Sequence, residues 1–283
     1  MIPELAAAFP IRDICRLLQV SRSGYYQWRH RRPARRQIAN DILLNHIKSC
    51  FEESRRTYGS PRITRQLQRQ HIPCSKNRVA RLMRNHGLKA RSKRPFRPRT
   101  TDSRRTQLPA PNRLKQLQPL RPNQVWVADI TYVWTDQGWL YLAAVMDLFS
   151  RRIIGWAIGL SLKSTLPIQA LDQALATRKP RQQLVHHSDR GCQYGSKDFR
   201  ALLEACSITP SMSGRGNCYD NAAMESFWST LKTELLHLHT YHDLPTLRLA
   251  VFDYIEVFYN RQRLHSALNY QSPVDFESQL TYK

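Results

Sequence analysis

An acid sits at the centre of a strand-forming run. Val125-Trp126-Val127-Ala128-Asp129-Ile130-Thr131-Tyr132-Val133 is β-branched or aromatic almost throughout, the composition of a strand that packs into a pleated, half-buried surface. A carboxylate placed there is costly unless something pairs with it. Two more acids stand at the ends of elements. Asp189 closes the apolar run through Leu184 and Val185 and is followed by a turn at Gly191, while Glu225 lies in the first turns of a helix opening at Ala222-Ala223-Met224. Carboxylates drawn from a strand centre, a strand end and a helix suit Mg²⁺ or Mn²⁺, hard ions that take oxygen ligands, keep several waters and bind through a few carboxylates plus substrate phosphates. Two such ions about 4 Å apart activate the attacking oxygen and stabilise the leaving one in an in-line phosphoryl displacement. The pattern points to chemistry on a phosphodiester.

The runs around these acids predict an order of elements. Strands at 125–134, 139–146 and 152–158, the first two joined through Asp136-Gln137-Gly138, read as a three-strand antiparallel meander. Helices at 166–176, 197–206 and 221–236 then alternate with strands at 183–187 and 208–212, and a further helix at 247–259 follows Leu244-Pro245. Asp220 or Asn221 is positioned to cap the Glu225 helix. The front of the chain reads as helices throughout: one at 11–18, a second capped by Ser21 or Ser23, and an amphipathic one at 38–51. Two more follow, one opening on Ser60-Pro61 and one capped by Ser75 and closed at Gly87.

With 225 − 189 = 36, the second and third acids have 35 residues between them, and Lys232 follows Glu225 by seven, two helical turns along nearly the same face. This spacing is similar to the DDE triad of retroviral-type integrases and transposases. The phrases Trp126-x-x-Asp129-Ile130-Thr131-Tyr132, Asp147-Leu148-Phe149-Ser150-Arg151, His187-Ser188-Asp189-x-Gly191-x-Gln193-Tyr194 and Tyr219-Asp220-Asn221-Ala222-x-x-Glu225-Ser226-Phe227 resemble the second-frame (OrfB) protein of transposases of the insertion-sequence-three family, in order and over most of the chain. The resemblance implies an α/β fold: a ribonuclease-H-like integrase core behind an all-helical, helix-turn-helix-like DNA-binding region. In that layout the first and fourth strands lie side by side and the Glu225 helix crosses near their ends. It further implies that Asp129, Asp189 and Glu225 are the catalytic acids and hold two Mg²⁺ (or Mn²⁺) ions. Asp147 and Asp220 are rival acids that the family pattern leaves outside the triad.

Charge divides the chain. Residues 1–120 carry 28 Lys+Arg against 6 Asp+Glu, a net of +22, and residues 121–283 carry 16 against 15, a net of +1. An excess of this kind fits a nucleic acid, where each neutralised phosphate releases counterions, better than a membrane surface, because no continuous apolar helix face accompanies it. Lys76, Arg78, Arg81 and Arg84 are left on the polar side of one helix, free for solvent or DNA, for groove reading or for phosphates alone. Arg94 and Arg97 belong to a run of prolines and arginines suited to lying along a DNA backbone. Lys232, Arg215, Arg261 and Arg263 are further phosphate contacts. His187, two residues before Asp189 and hence on its face of the strand, either orients a ligand or scissile phosphate or is a hydrogen-bonded core histidine.

Six cysteines without a C-x-x-C pair argue against zinc clusters and disulfide frameworks and for reduced thiols in a cytoplasm. No 18-residue apolar run is present, so no membrane partner is expected. The expected organisation is a helix-turn-helix-like segment at 1–33, a helical DNA-binding domain at 34–89, a basic Pro-rich linker at 90–122 and the catalytic domain at 123–283. The expected activity is that of a bacterial, cytoplasmic DNA transposase subunit. Water attacks a phosphodiester at the element's end, and the freed 3′-hydroxyl then attacks a second one. The alternatives are a non-catalytic DNA-binding regulator of transposition and a nuclease that cuts without joining. By resemblance the working form is a homo-oligomer on double-stranded DNA, with an upstream-frame protein carrying a helix-turn-helix and leucine zipper as a further partner. This chain has no heptad run of that kind.

Overall fold

The computed structural model describes the chain apart from residues 1, 7, 92–109, 115–116, 181–182, 215–220 and 280–283 and the side chain of Ile2. Arg94, Arg97, Arg215 and Asp220 therefore lie outside the described residues. The front of the chain is helical, with α1 (Ile2–Leu5), α2 (Ile11–Leu17), α3 (Arg22–Arg29), α4 (Arg35–Glu53), α5 (Ser60–Arg69) and α6 (Lys76–Asn85). Ser21 caps α3 by accepting from Gly24 N, and Ser75 caps α6 by accepting from Arg78 N. At α5 the reading is corrected. The cap is Gly59, which has no side chain to bond, and Ser60-Pro61 are already the first two helical residues. Gly87 closes α6, with Leu88 N bonded back to Met83 O.

The rest is a five-stranded sheet with helices on both faces. Its strands are β1 (Val125–Thr135), β2 (Gly138–Asp147), β3 (Ile153–Gly159), β4 (Val185–Ser188) and β5 (Thr209–Met212), in spatial order β3-β2-β1-β4-β5. The meander β1-β2-β3 is antiparallel, while β1, β4 and β5 run parallel, joined by α7 (Thr165–Arg178) and α8 (Lys197–Ala205). Period-two alternation divides β1 between two cores. Val125, Val127 and Val133 face α9 (Ala222–Glu234) and α10 (Leu244–Phe252), and Trp126 and Ala128 face α7 and α8. Gly155 permits the close approach of α7 to β3, since a Cβ there would stand 2.1 Å from Ala170 O.

The helix expected at 247–259 is two things. It is α-helical to Phe252 and then widens into a π-helix over Asp253–Tyr259. Immediately after it, Asn260 pairs with the start of β3, its Nδ2 donating to Ile153 O at 2.9 Å and its Oδ1 accepting from Ile153 N at 3.0 Å. A last helix, α11 (Pro273–Ser278), is held by Glu277 through Arg152, Arg178 and Ser150. The C-terminal part also reaches the front of the chain. Leu264 completes the cluster of α4, α5 and α6, and the Tyr58 hydroxyl accepts from Leu264 N at 2.6 Å.

Part of the stretch expected as linker is packed. Ala110 and Leu114 lie against the cores on opposite faces of the sheet, and Arg113 N donates to Ser211 Oγ of β5 at 3.0 Å. Among the described residues no helix is long and apolar enough to cross a membrane, and Cys15, Cys50, Cys74, Cys192 and Cys206 are free thiols.

Candidate active site

Parallel pairing of β1 with β4 brings the two aspartates together. Val127 is the register partner of His187, so two residues further along both strands Asp129 and Asp189 stand side by side on one face. Asp129 is fixed by two bonds: Oδ1 accepts from Ile130 N at 2.8 Å and Oδ2 from the Trp228 indole N–H at 3.0 Å. Asp189 Oδ1 accepts from Gly191 N at 2.9 Å, and a Cβ on Gly191 would press to 3.0 Å of that oxygen. Burial first, and the charge of Asp189 second, push the Asp129 carboxyl up to about 7, with a smaller push from Glu225 and opposition from its two hydrogen bonds. Burial also raises Asp189. Two buried carboxyls held above their usual range, one of them also by the charge of the other, form a donor set with an electrostatic deficit that a hard cation relieves.

Glu225 reaches the site from α9. Trp228, one helical turn beyond it, is the residue bonded to Asp129, so that hydrogen bond holds the acid-bearing helix to the acid-bearing strand. Asn221 opens α9 but makes no side-chain cap bond. Its Nδ2 instead donates to Ala128 O at 3.4 Å, gripping β1 beside Asp129. Glu225 itself is exposed at the rim. Among the described residues no three His, Cys, Asp or Glu side chains stand together as a ready-made metal cage. The arrangement is a close aspartate pair with the third acid beside it.

Lys232 lies two turns beyond Glu225, half-buried, with its ammonium 5.3 Å from the centre of the Tyr132 ring. Burial lowers its pKa and the charge of Asp129 opposes that, which places the amine in the field of the site. His187 is the core histidine of its two readings. It is fully buried, with Nδ1 2.9 Å from Ser211 Oγ and Nε2 3.2 Å from Ser213 Oγ, and serves to tie β4 to β5. Arg263 is also corrected. Rather than meeting phosphate, it is buried and bonded at both Nε and Nη2 to Glu234, an acid that also accepts from Tyr254. Arg261 is exposed. On α6, Lys76, Arg81 and Arg84 are exposed, and Arg78 is tied back to Asn40 of α4 at 2.9 Å. The rival acid Asp147 is fully buried and consumed by structure, accepting from Asn123 N and Phe149 N and pairing with Arg178. Trp228 escaped the sequence reading, although its place three residues after Glu225 was signal enough to find it.

An RNase-H-like sheet carrying paired aspartates on its adjacent parallel strands, with a glutamate helix across them, defines an integrase-core protein. Family models agree: an integrase core domain matches residues 119–218 and a second integrase core domain model matches 206–273, while an HTH-like domain matches 39–96. Among curated relatives, "Transposase InsF for insertion sequence IS3A" of Escherichia coli (strain K12) is 40% identical over 281 residues, 98% of this chain and 97% of that protein. "Insertion element IS600 uncharacterized 31 kDa protein" of Shigella sonnei is 43% identical over 264 residues, 93% of this chain and 97% of that one. Among solved structures, a simian T-cell lymphotropic virus intasome matches with 17% identity and a TM-score of 0.49, over 78% of this chain and 70% of that chain. The chain belongs to the IS3-family transposases, enzymes of DNA strand cleavage and strand transfer.

Proposed function

We propose that Asp129, Asp189 and Glu225 are the catalytic acids of this transposase and together hold its divalent cations, two Mg²⁺ or Mn²⁺ ions. The side-by-side placement of Asp129 and Asp189 by the β1–β4 register carries this reading. When bound, the ions supply Lewis acidity at the scissile phosphate and lower the pKa of the attacking hydroxyl. The chain's own residues supply position. Trp228 and Asn221 hold α9 against β1, Gly191 fixes the rotamer of Asp189, and Lys232 offers a positive charge to a phosphate beside the reacting one. Water first opens the phosphodiester at an element end, the 3′-oxygen leaving as a hydroxyl, and that 3′-hydroxyl then attacks a second phosphodiester, displacing the 3′-oxygen of the attacked strand, with no covalent protein intermediate.

The division of labour we propose is that residues 1–33 and 34–89 hold double-stranded DNA, with Lys76, Arg78, Arg81 and Arg84 on the DNA side, and that residues 90–122, with Arg94 and Arg97, connect them to the catalytic domain at 123–283. Arg215 and Arg261 are further phosphate contacts. Several copies act together on DNA, with an upstream-frame helix-turn-helix protein completing end recognition. Labelled element ends incubated with Mg²⁺ and a target duplex test the chemistry. Asp129→Asn, Asp189→Asn and Glu225→Gln each abolish cleavage and joining while DNA affinity stays near wild type. Joined product from any one of them with Mg²⁺ present refutes that residue's assignment.

A further inference from the structure

On the face of the β1–β2 hairpin opposite Val133 and Leu140, which pack under α9 and α10, the two strands carry a ladder of aromatic rings. Tyr132 pairs with Tyr141 and Trp134 with Trp139 in the strand register, so all four lie on one face. Trp139 stands edge-on to both Tyr132 (5.1 Å, 85°) and Trp134 (4.9 Å, 73°), and Tyr132, Trp134 and Trp139 are 41%, 59% and 49% exposed. Cross-strand aromatic pairs stabilise a hairpin, but that role asks for contact between rings and leaves no reason for three to face solvent. Exposed apolar groups gathered in this way mark a place where something docks.

What docks is indicated by what surrounds the rings. Tyr132 alternates onto the face of β1 opposite Asp129, but the Lys232 ammonium, 5.3 Å from the centre of its ring, is also within the field of Asp129, so one cation reaches both the ladder and the aspartate. Exposed ring faces with a cation beside them match one nucleic-acid unit, with a phosphate on the cation and a base on a ring. Bases inside a duplex show only their edges. A ring face is available only when the base has left the stack.

We infer that Tyr132, Trp134 and Trp139 form a stacking site for unpaired bases of the DNA strand next to the phosphodiester being cut. This inference rests on the transposase reading and deepens it. The strand end, opened by a few base pairs, lays its bases on the ladder while Lys232 meets the adjoining phosphate, which brings the scissile bond to the aspartates and keeps the end from re-annealing.

The test needs no chemistry, so it is independent of the assignment of the acids. Full-length protein in a chelating buffer is titrated into a labelled single-stranded oligonucleotide and into an abasic oligonucleotide of equal length. Wild-type protein prefers the strand with bases by about tenfold or more, the scale of stacking on one or two rings. A W134A/W139A double variant loses that preference, W134F/W139F keeps most of it, and all three bind duplex DNA equally through the basic helices. The phenylalanine variant guards against a folding defect, because it retains ring packing. Equal affinity of wild-type protein for both strands overturns the inference. So does a wild-type dimer that the alanine variant loses while its preference for bases is unchanged, since the rings would then be the seat of a second copy.

Discussion

His186 is shut between Tyr194 and Phe199 with neither ring nitrogen bonded, and burial, followed by the neighbouring His187, lowers its pKa to about 3. The folded state therefore holds fewer protons on this group than the unfolded chain does between about pH 6.5 and pH 3, and its contribution to stability is lost as pH falls through that window. Asp129 has the opposite sign. With a folded value of about 7 it binds more protons when folded, so its contribution to stability is lost as pH rises from about 4 to 7. Because the two trends oppose, each is read as a variant's difference from wild type. His186→Phe gains Tm relative to wild type at pH 4 and not at pH 8, and Asp129→Asn gains Tm at pH 8 without divalent cation and not at pH 4, both by thermal scans across pH. Trp228→Phe keeps an aromatic ring in the core, though a smaller one, and removes the indole N–H from Asp129. Its expected effect is a cleavage rate lower by about tenfold, the worth of one hydrogen bond to a charged group, at unchanged duplex affinity. A cleavage rate equal to wild type would show that the bond does not position the acid.

Helix α9 shows how functions are divided within one element. Met224, Phe227 and Leu231 are buried in the core, Glu225 is exposed, Lys232 lies over the Tyr132 ring, and Glu234 at the last turn is sealed against Arg263. Removing one partner of such a pair leaves an uncompensated buried charge. Arg263→Ala is expected to cost about 3–5 kcal/mol and to lower Tm clearly, whereas Lys232→Ala slows cleavage with Tm nearly unchanged. Unfolding scans and strand-transfer assays on the two variants separate these effects. The elements themselves were legible: β1 was expected at 125–134 and is Val125–Thr135, and α6 is bounded by the Ser75 hydroxyl at one end and the positive φ of Gly87 at the other. Asp129 stands out in the sequence because a carboxylate in a run such as Val125–Val133 breaks the pattern of that run, and the structure buries it beside Asp189. Arg263 was misread because its partner Glu234 is 29 residues away and a basic group near Tyr259-Asn260 looks the same in sequence whether it meets phosphate or carboxylate. The π-helical turn over Asp253–Tyr259 leaves no local signal either, since its buried Tyr254, Ile255, Phe258 and Tyr259 are spaced as an α-helix would also allow. At α5, Ser60 was taken for the cap because it is the side chain able to bond, yet the chain enters the helix one residue earlier.

At the scale of the whole molecule, a front half with a net of +22 stands beside a catalytic half with a net of +1, so duplex affinity falls steeply with salt. Neutralising Lys76, Arg81 and Arg84, the exposed cations of α6, is expected to reduce the slope of log affinity against log salt by about 3, at about 0.9 per phosphate contact, as measured by titrations at several ionic strengths. The two halves nonetheless share structure. Arg55 pairs with Asp253 at 2.6 Å and lies over Phe258, Arg65 lies over Tyr270, and the Tyr58 hydroxyl joins Leu264 N to Gln262 O. The Tyr58–Leu264 bond spans 206 residues of chain. A ribosome adding about 5–20 residues per second takes on the order of 10–40 seconds to travel from one partner to the other. During that interval the nascent basic module has its helices but lacks the leucine that covers them, so its final closure waits until Leu264 has been made.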